Sequence, residues 1–436
     1  MKSPLFEELT DYFRSVVREF PDKRTGTNKT YLMKDIALSA FSIFFTRSPS
    51  FPAFQRSMEK ADGKNNARKL FGISKIPSDN HIRDISDEVS PDHIFHVYDK
   101  ILEKLENSKI PERFLYLKDS YLIGSDGTWY FSSSDIYCDN CNKIRHKNGT
   151  EEYYHSAITP VIVHPNSHEV IALRPEFVKP QDGHAKQDCE QVAAKRWLEK
   201  NGECYRRSDP TLPGDDLYPR QPFCRHVITN GYHFISVCKP DSHKSLYEWL
   251  NGLEEGVDIH ICSEKLRNGR HREIHRYRYA NDVPLRDGED GLGVNRCEIL
   301  ITKENGEIIY QNSFITDYVI SDQNVKKIVK SGRSRWKIGN ENNNTLKTKG
   351  YNSEHNFGHG KNNLSSLLAA MNIPAFLFHT ALLYMDKKYR LIRDNLPNRK
   401  TFSDDIRALT RYICFESFQD LMNFMIRGPE IGSDTG

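Results

Sequence analysis

The sequence predicts a mixed α/β chain, helical at both ends with a β-rich middle. Three observations carry this. Apolar residues recur at helical spacing through about the first ninety residues; β-formers dominate from Phe114 to Asp317; and a helical pattern returns after Ser321 and holds to Ile426. At 436 residues the chain exceeds one ordinary core, so two or three domains are expected. The pattern divides into a helical N-terminal module (1–95), a mixed region (112–245), a β-rich stretch (246–318), a helical region (319–427) and a tail (428–436).

Bulk composition narrows the class. Hydrophobic residues at 37%, charged residues at 28%, and 23 Phe with 21 Tyr exclude a disordered chain. A net charge of +3 is too small to announce a nucleic-acid binder by itself, so any DNA contact must come from local patches. Nine cysteines, an odd number, are scattered, and "MKSPLFEELTDYF" places acids where a secretory leader would be apolar. Reduced thiols in a cytoplasmic compartment are the expectation.

The elements follow in order. "LFEELTDYFRSVVREF" keeps its apolar residues on one helical face, and "MKDIALSAFSIFFTRS" is a second, more apolar helix. "EKADGKNNARK" is polar and turn-rich and reads as a loop. "IPSDNHIRDISDEV" reads as a helix capped by Ser78 or Asp79. Two roles stay open for this module, a structural cap on the next domain and DNA binding.

"RFLYLKDSYLIGSDGTWYFSS", "YYHSAITPVIVHP" and "HEVIALRPEFV" read as strands, with Asn148-Gly149 as a tight turn. "AKQDCEQVAAKRWLEK" reads as a helix, a short strand ends at "PGDDLY", and a helix and the strand "YHFISVC" follow. In "HREIHRYRYA", Arg272, Ile274, Arg276 and Arg278 share one face, while His275, Tyr277 and Tyr279 share the other. The run Leu364 to Met385 is the most membrane-like, but Asn372, Pro374 and His379 interrupt it. Buried helices broken near the proline are expected, with no membrane span.

Walker, GxGxxG, GxSxG and HExxH motifs are absent. What remains are acids at strand positions. Asp126 reads as lying inside a strand, where an acid is unwelcome without a role, and Asp215-Asp216 close another strand. Such carboxylates suit a hard cation such as Mg²⁺; singly, each is more often a turn or cap residue. Cys138-x2-Cys141-x4-His146, with His155 beyond, has the look of a zinc knuckle, against the simpler reading of reduced cysteines near a hairpin. In "EHNFGHG", Gly358 and Gly360 argue for a turn around Glu354, His355 and His359.

"RSRWKIGNENNNTLKTKG" reads as a polar helix with Arg335 and position 339 on one face and Trp336 and Ile338 packed inward. Lys347 and Lys349 extend a basic edge, which suits either a solvated face or one lying along a phosphate backbone. Gly339 is odd there, since a helix-interior glycine costs about 1 kcal/mol relative to alanine.

These pieces together resemble bacterial insertion-sequence transposases of the DDE type. The segments that carry the resemblance are "SDGTWYFSS", "CDNCNKIRHKNGTEEYYH", "PEFVKPQDGHAKQDCE", "GDDLY", "RWKIGNENNNTLKTKGY", "EHNFGHG" and "RKTFSDDIRALTRY", spread in order from about Phe6 to Ile426. The resemblance implies an RNase H-like catalytic core interrupted by a β-rich insertion. It also implies Mg²⁺ (or Mn²⁺) as cofactor and terminal inverted repeats and target DNA as partners, with a dimer on DNA and a nucleoid-associated location. Residue by residue, Asp126 matches the first catalytic acid and metal ligand and Asp215 the second, with Asp216 the fallback. Arg335 matches the arginine four residues before the third acid, and that slot holds Gly339. Glu341, two residues on, falls about 200° around an α-helix and cannot stand in. The family's following lysine belongs seven residues after the third acid, where Leu346 stands, with Lys347 one further. Arg335, Trp336, Lys347, Lys349, Arg276 and Arg278 are the candidate DNA contacts.

In such enzymes water frees a 3′-OH at the element's end and that hydroxyl then attacks target DNA. Missing its third carboxylate, this chain is expected to be catalytically impaired. A non-catalytic DNA-binding relic is the alternative, and a zinc hydrolase using the Cys/His residues is a third.

Overall fold

The computed structural model describes residues 4–25, 29–58, 61–180, 189–269 and 271–428. Among the described residues, six α-helices come first: α1 (Leu5–Arg18), α2 (Met33–Phe45), α3 (Phe51–Met58), α4 (Ala61–Phe71), α5 (Asp79–Ser86) and α6 (Phe95–Asn107). Helix α1 buries Phe6, Leu9, Phe13 and Val17, the one-faced pattern expected, while α2 is buried over nearly its whole circumference. Ser78 caps α5, its side chain accepting from the His81 N–H.

Helix α4 corrects the loop reading of "EKADGKNNARK". Asn66 is fully buried, its amide donating to the carbonyls of Thr410 (2.7 Å) and Ile413 (2.6 Å) and accepting from Phe415 N–H (2.9 Å). A polar segment of poor intrinsic helicity is therefore held helical by partners some 350 residues away in sequence.

The middle of the chain forms two sheets. Strands β1 (Leu122–Gly124), β2 (Gly127–Ser133), β3 (Asn142–Arg145), β4 (Glu151–Ile158), β5 (Val161–Val163), β6 (Ile171–Ala172) and β7 (Glu176–Val178) come first. Then come α7 (Glu190–Tyr205), β8 (Thr211–Gly214), α8 (Gln221–Thr229), β9 (His233–Val237) and α9 (Lys244–Asn251). Four long strands close the region: β10 (His260–Asn268), β11 (His271–Pro284), β12 (Gly293–Lys303) and β13 (Ile308–Thr316).

The large sheet has the order β10-β11-β12-β13-β9-β8-β1-β5-β6. Within it β1, β8 and β9 run parallel, while β5 and β6 form an antiparallel edge beside β1. Strands β2, β3, β4 and β7 form the small sheet, its β3–β4 hairpin turning at Asn148-Gly149, where Gly149 takes φ 85°. The β-rich stretch 246–318 does not build a sheet of its own, because β13 pairs with β9 and extends the large one. His275, Tyr277 and Tyr279 of β11 are buried, as the alternation predicts.

The C-terminal part runs α10 (Val325–Arg333), a π-helical turn (Ile338–Asn343), α11 (Asn344–Thr348), α12 (Leu364–Met385), α13 (Lys387–Asn395), α14 (Arg399–Tyr412) and α15 (Phe418–Arg427). Helix α10 lies across β8, β9, β11 and β12. Helix α12 is one continuous helix with Pro374 inside it, not the pair expected on either side of a break. It is long and apolar enough to cross a membrane, yet 89% of its apolar window is buried inside the protein. It packs on α1, α2, α5 and α6, so the N- and C-terminal helices share one core.

Candidate functional site

Asp126 does not lie inside a strand. It occupies the two-residue break between β1, in the large sheet, and β2, in the small one. Its backbone carbonyl accepts from Thr159 N–H (3.2 Å) at the matching bend between β4 and β5. Asp215 follows β8, the parallel neighbour of β1, so the two acids leave adjacent strands at the same end of the sheet. Strand ends at this edge are where α/β sheets place ligand-binding side chains.

The paired aspartates after β8 divide their work. Asp216 is taken up structurally: Oδ1 accepts from Lys239 N–H (2.9 Å) and Oδ2 from the Ser242 hydroxyl. Asp215 caps only its own turn, accepting from Leu217 N–H at 2.8 Å. That leaves Asp215 the freer carboxylate.

Sequence reasoning missed a third acid at this place. Glu190, the first residue of α7, accepts at Oε1 from the buried Tyr218 hydroxyl (2.6 Å), the tyrosine of "DDLY". A Cβ on Gly127 would stand 2.4 Å from Glu190 Oε2. The Glu190 carboxylate thus lies directly over the glycine of "SDGTW", and a side chain there would push it aside. Burial raises the Asp126 carboxyl above the usual range and Asp215 raises it further, while Arg335, the Gly127 N–H and Lys347 oppose the shift. Glu190 is also raised, first by burial; the Tyr218 hydrogen bond opposes this, and Asp126 and Asp215 add to it. Asp126, Asp215 and Glu190 therefore share one field, although they are spaced more widely than the Cys/His group below. The sequence signal for Glu190 lay in "QDCE", but an acid at a helix start reads as an ordinary dipole-favoured residue.

The helix of the expected third acid differs from its reading in three ways. Arg335 sits in the turn between α10 and the next helix, not within one helix with position 339. Trp336 is 44% exposed rather than packed inward, with the buried Lys337 ammonium 4.7 Å from its ring centre and donating to Ser167 C=O at 2.7 Å. Ile338 does pack inward, so close over β1 that a Cβ at Gly124 would lie 2.3 Å from its Cδ1. Third, residues 338–343 are π-helical. A π-turn adds a residue without advancing the face. Leu346 is accordingly buried, and Lys347, one position late in the sequence, is the lysine that acts on Asp126.

Gly339 has no steric reason to be glycine. A Cβ there would meet nothing within 4 Å, and its backbone is not left-handed. Glu341 points elsewhere, 3.7 Å from His168 Nδ1. Of the remaining basic residues, Lys347 pairs with Glu354 (2.7 Å), Lys349 is exposed, and Arg276 pairs with Glu255 (3.3 Å). Arg278 is half-buried on the same strand as Arg276, away from the acids.

The zinc-knuckle reading is corrected at one position. His146 leaves the cluster and pairs with Glu152 at 3.0 Å. Its place is taken by His359, from the "EHNFGHG" turn. Cys138, Cys141, His155 and His359 bring one donor atom each within 4.8 Å of one another, a group able to hold a metal ion. No family model matches the chain, and no curated protein matches it.

Proposed function

We propose that this chain carries a DNA phosphoryl-transfer site of the DDE transposase kind on an RNase H-like core, and that Gly339 leaves its third-acid position without a carboxylate, with Glu190 a third acid from elsewhere in the fold. The observation that carries the reading is the placement of Asp126 and Asp215 just past the same ends of two adjacent parallel strands, under one shared field. The strand order β6-β5-β1-β8-β9, antiparallel on one side of β1 and parallel on the other, accords with such a core.

The donor set fits Mg²⁺ or Mn²⁺: three hard carboxylates, two of them with raised proton affinity that a divalent cation would relieve. Asp126, Asp215 and Glu190 would hold such ions, which supply charge at the scissile phosphate and acidify the attacking water. The protein's own part is positional. Tyr218 fixes Glu190, while Arg335 and Lys347 put positive charge beside Asp126 where a phosphate would lie. Trp336 and Lys349 extend that edge, and Arg276 and Arg278 are outlying DNA contacts. Each step exchanges one P–O bond for another. Water oxygen bonds to phosphorus as the 3′-oxygen leaves, and that 3′-OH then bonds to a target phosphorus as the target's own 3′-oxygen leaves.

The second reading, a DNA-binding derivative without catalysis, is favoured by Gly339 alone. Both are tested on duplexes carrying the inverted-repeat ends that this reading expects beside the coding sequence, with Mg²⁺ or Mn²⁺. Gly339→Glu is expected to cleave roughly 10²-fold faster than the natural chain, and Glu190→Gln to remove the natural chain's residual cleavage. Equal, robust cleavage by the natural chain and Gly339→Glu would overturn the impairment. Failure of both to cleave, with tight repeat binding, would establish the derivative reading; failure to bind the repeats would remove both.

A further inference from the structure

We infer that Cys138, Cys141, His155 and His359 form a closed structural zinc site, independent of the carboxylate site and of the DNA reading. The distances carry it. A tetrahedral zinc with Zn–S of about 2.3 Å and Zn–N of about 2.05 Å demands edges near 3.8 Å for S···S, roughly 3.5 Å for S···N and about 3.3 Å for N···N. The protein has Cys138 Sγ···Cys141 Sγ at 3.9 Å, and Cys138 Sγ···His155 Nε2 at 3.6 Å. Cys141 Sγ lies 3.4 Å from His155 Nε2 and 3.4 Å from His359 Nε2, and the two Nε2 atoms are 3.1 Å apart. Five edges match in kind and order, and the sixth is within 4.8 Å.

The surroundings suit a metal rather than a set of neutral hydrogen bonds. Cys141, His155 and His359 are buried, at 8%, 3% and 8% exposure. His359 Nδ1 donates to the Gly360 carbonyl at 2.7 Å, which leaves its Nε2 lone pair aimed into the cluster. The Cys141 N–H closes a tight turn onto Cys138 C=O (3.1 Å), bringing both sulfurs to one side. Two thiolates with two imidazoles in a tetrahedron select zinc among common divalent ions, and four protein ligands leave no position for substrate.

The site joins parts of the chain that are far apart in sequence. Cys138 and Cys141 lie in the connection between β2 and β3, His155 lies on β4, and His359 precedes α12. Glycines frame His359: Gly358 and Gly360 have φ of 150° and 71°, and a Cβ on Gly360 would strike the Asp87 carboxylate. That carboxylate accepts from the N–H groups of Lys361, Asn362, Asn363 and Leu364, capping α12 from outside. The zinc thus clips the small sheet to the start of α12, and β2 of that sheet begins one residue after Asp126.

The test is metal content of the untagged, purified full-length chain, with cobalt substitution as a second readout. The expected result is one zinc per chain, replaceable by Co²⁺ with the visible bands of a tetrahedral S₂N₂ site. His359→Ala and Cys141→Ser should lose the zinc and His146→Ala keep it. Because the first two variants risk misfolding, the natural chain is also melted with and without a zinc chelator, and its midpoint should fall on chelation. A folded, metal-free natural chain, a melt unmoved by chelation, or zinc lost in His146→Ala and kept in His359→Ala would each overturn the assignment.

Discussion

Gly127 and Gly339 look alike in the sequence and differ in what surrounds them. At Gly127 a side chain would displace the Glu190 carboxylate; at Gly339 there is open space and no left-handed backbone, so nothing in the fold asks for glycine. The carboxylates nearby have a measurable consequence. Asp126 and Glu190 bind protons more tightly in the folded chain than ordinary carboxyls do, chiefly because they are buried. Below the ordinary carboxyl range both states are protonated and nothing is lost. As pH rises from about 4 into the raised range, the unfolded chain releases its protons first, so these groups progressively lower stability. Asp126→Asn should therefore melt higher than the natural chain at pH 7 without metal, with the difference closing near pH 3. Mg²⁺ should raise the melting point of the natural chain at pH 7 and leave Asp126→Asn much less affected. A lower melting point for Asp126→Asn at pH 7 would contradict this account.

At the scale of elements, α12 shows how a helix survives its own proline. Pro374 cannot donate to the Ala370 carbonyl four residues earlier, and the fully buried Tyr98 hydroxyl of α6 donates to it instead, at 3.0 Å. The break expected from the sequence is absent because a distant side chain supplies the missing hydrogen bond. Tyr98→Phe keeps the ring and orphans that carbonyl, so it should cost about 1–3 kcal/mol in urea denaturation. An unchanged midpoint would mean that the hydroxyl does nothing for the helix. The π-turn at 338–343 teaches the same lesson in reverse. Counting seven residues from position 339 lands on Leu346, but past the π-turn Leu346 is buried and Lys347 is the lysine whose charge acts on Asp126.

For the whole molecule, the N-terminal helices share one core with the C-terminal ones. Nearly every residue of α2 is buried, and α1, α2, α5 and α6 all lie against α12, more than 250 residues later in the chain. Residues 1–110 expressed alone should accordingly aggregate or show weak, non-cooperative helicity by circular dichroism, their apolar faces having lost their cover. A cooperative thermal transition in that fragment would show that the N-terminal helices fold without this cover.

Much was legible locally. Period-two alternation in β11, the one-faced α1, the Ser78 cap and the Asn148-Gly149 turn follow from side-chain chemistry over a few residues, which local sequence encodes directly. The sequence by itself also determined that position 339 lacks a carboxylate, since no fold can supply a missing side chain. Only the tertiary structure decided the rest. Glu190 joins Asp126, His359 replaces His146 and Tyr98 completes α12. Asn66 likewise makes a helix of a polar segment. Each of these depends on groups tens to hundreds of residues apart meeting in a buried place, where an unpaired polar atom costs far more than it does in water.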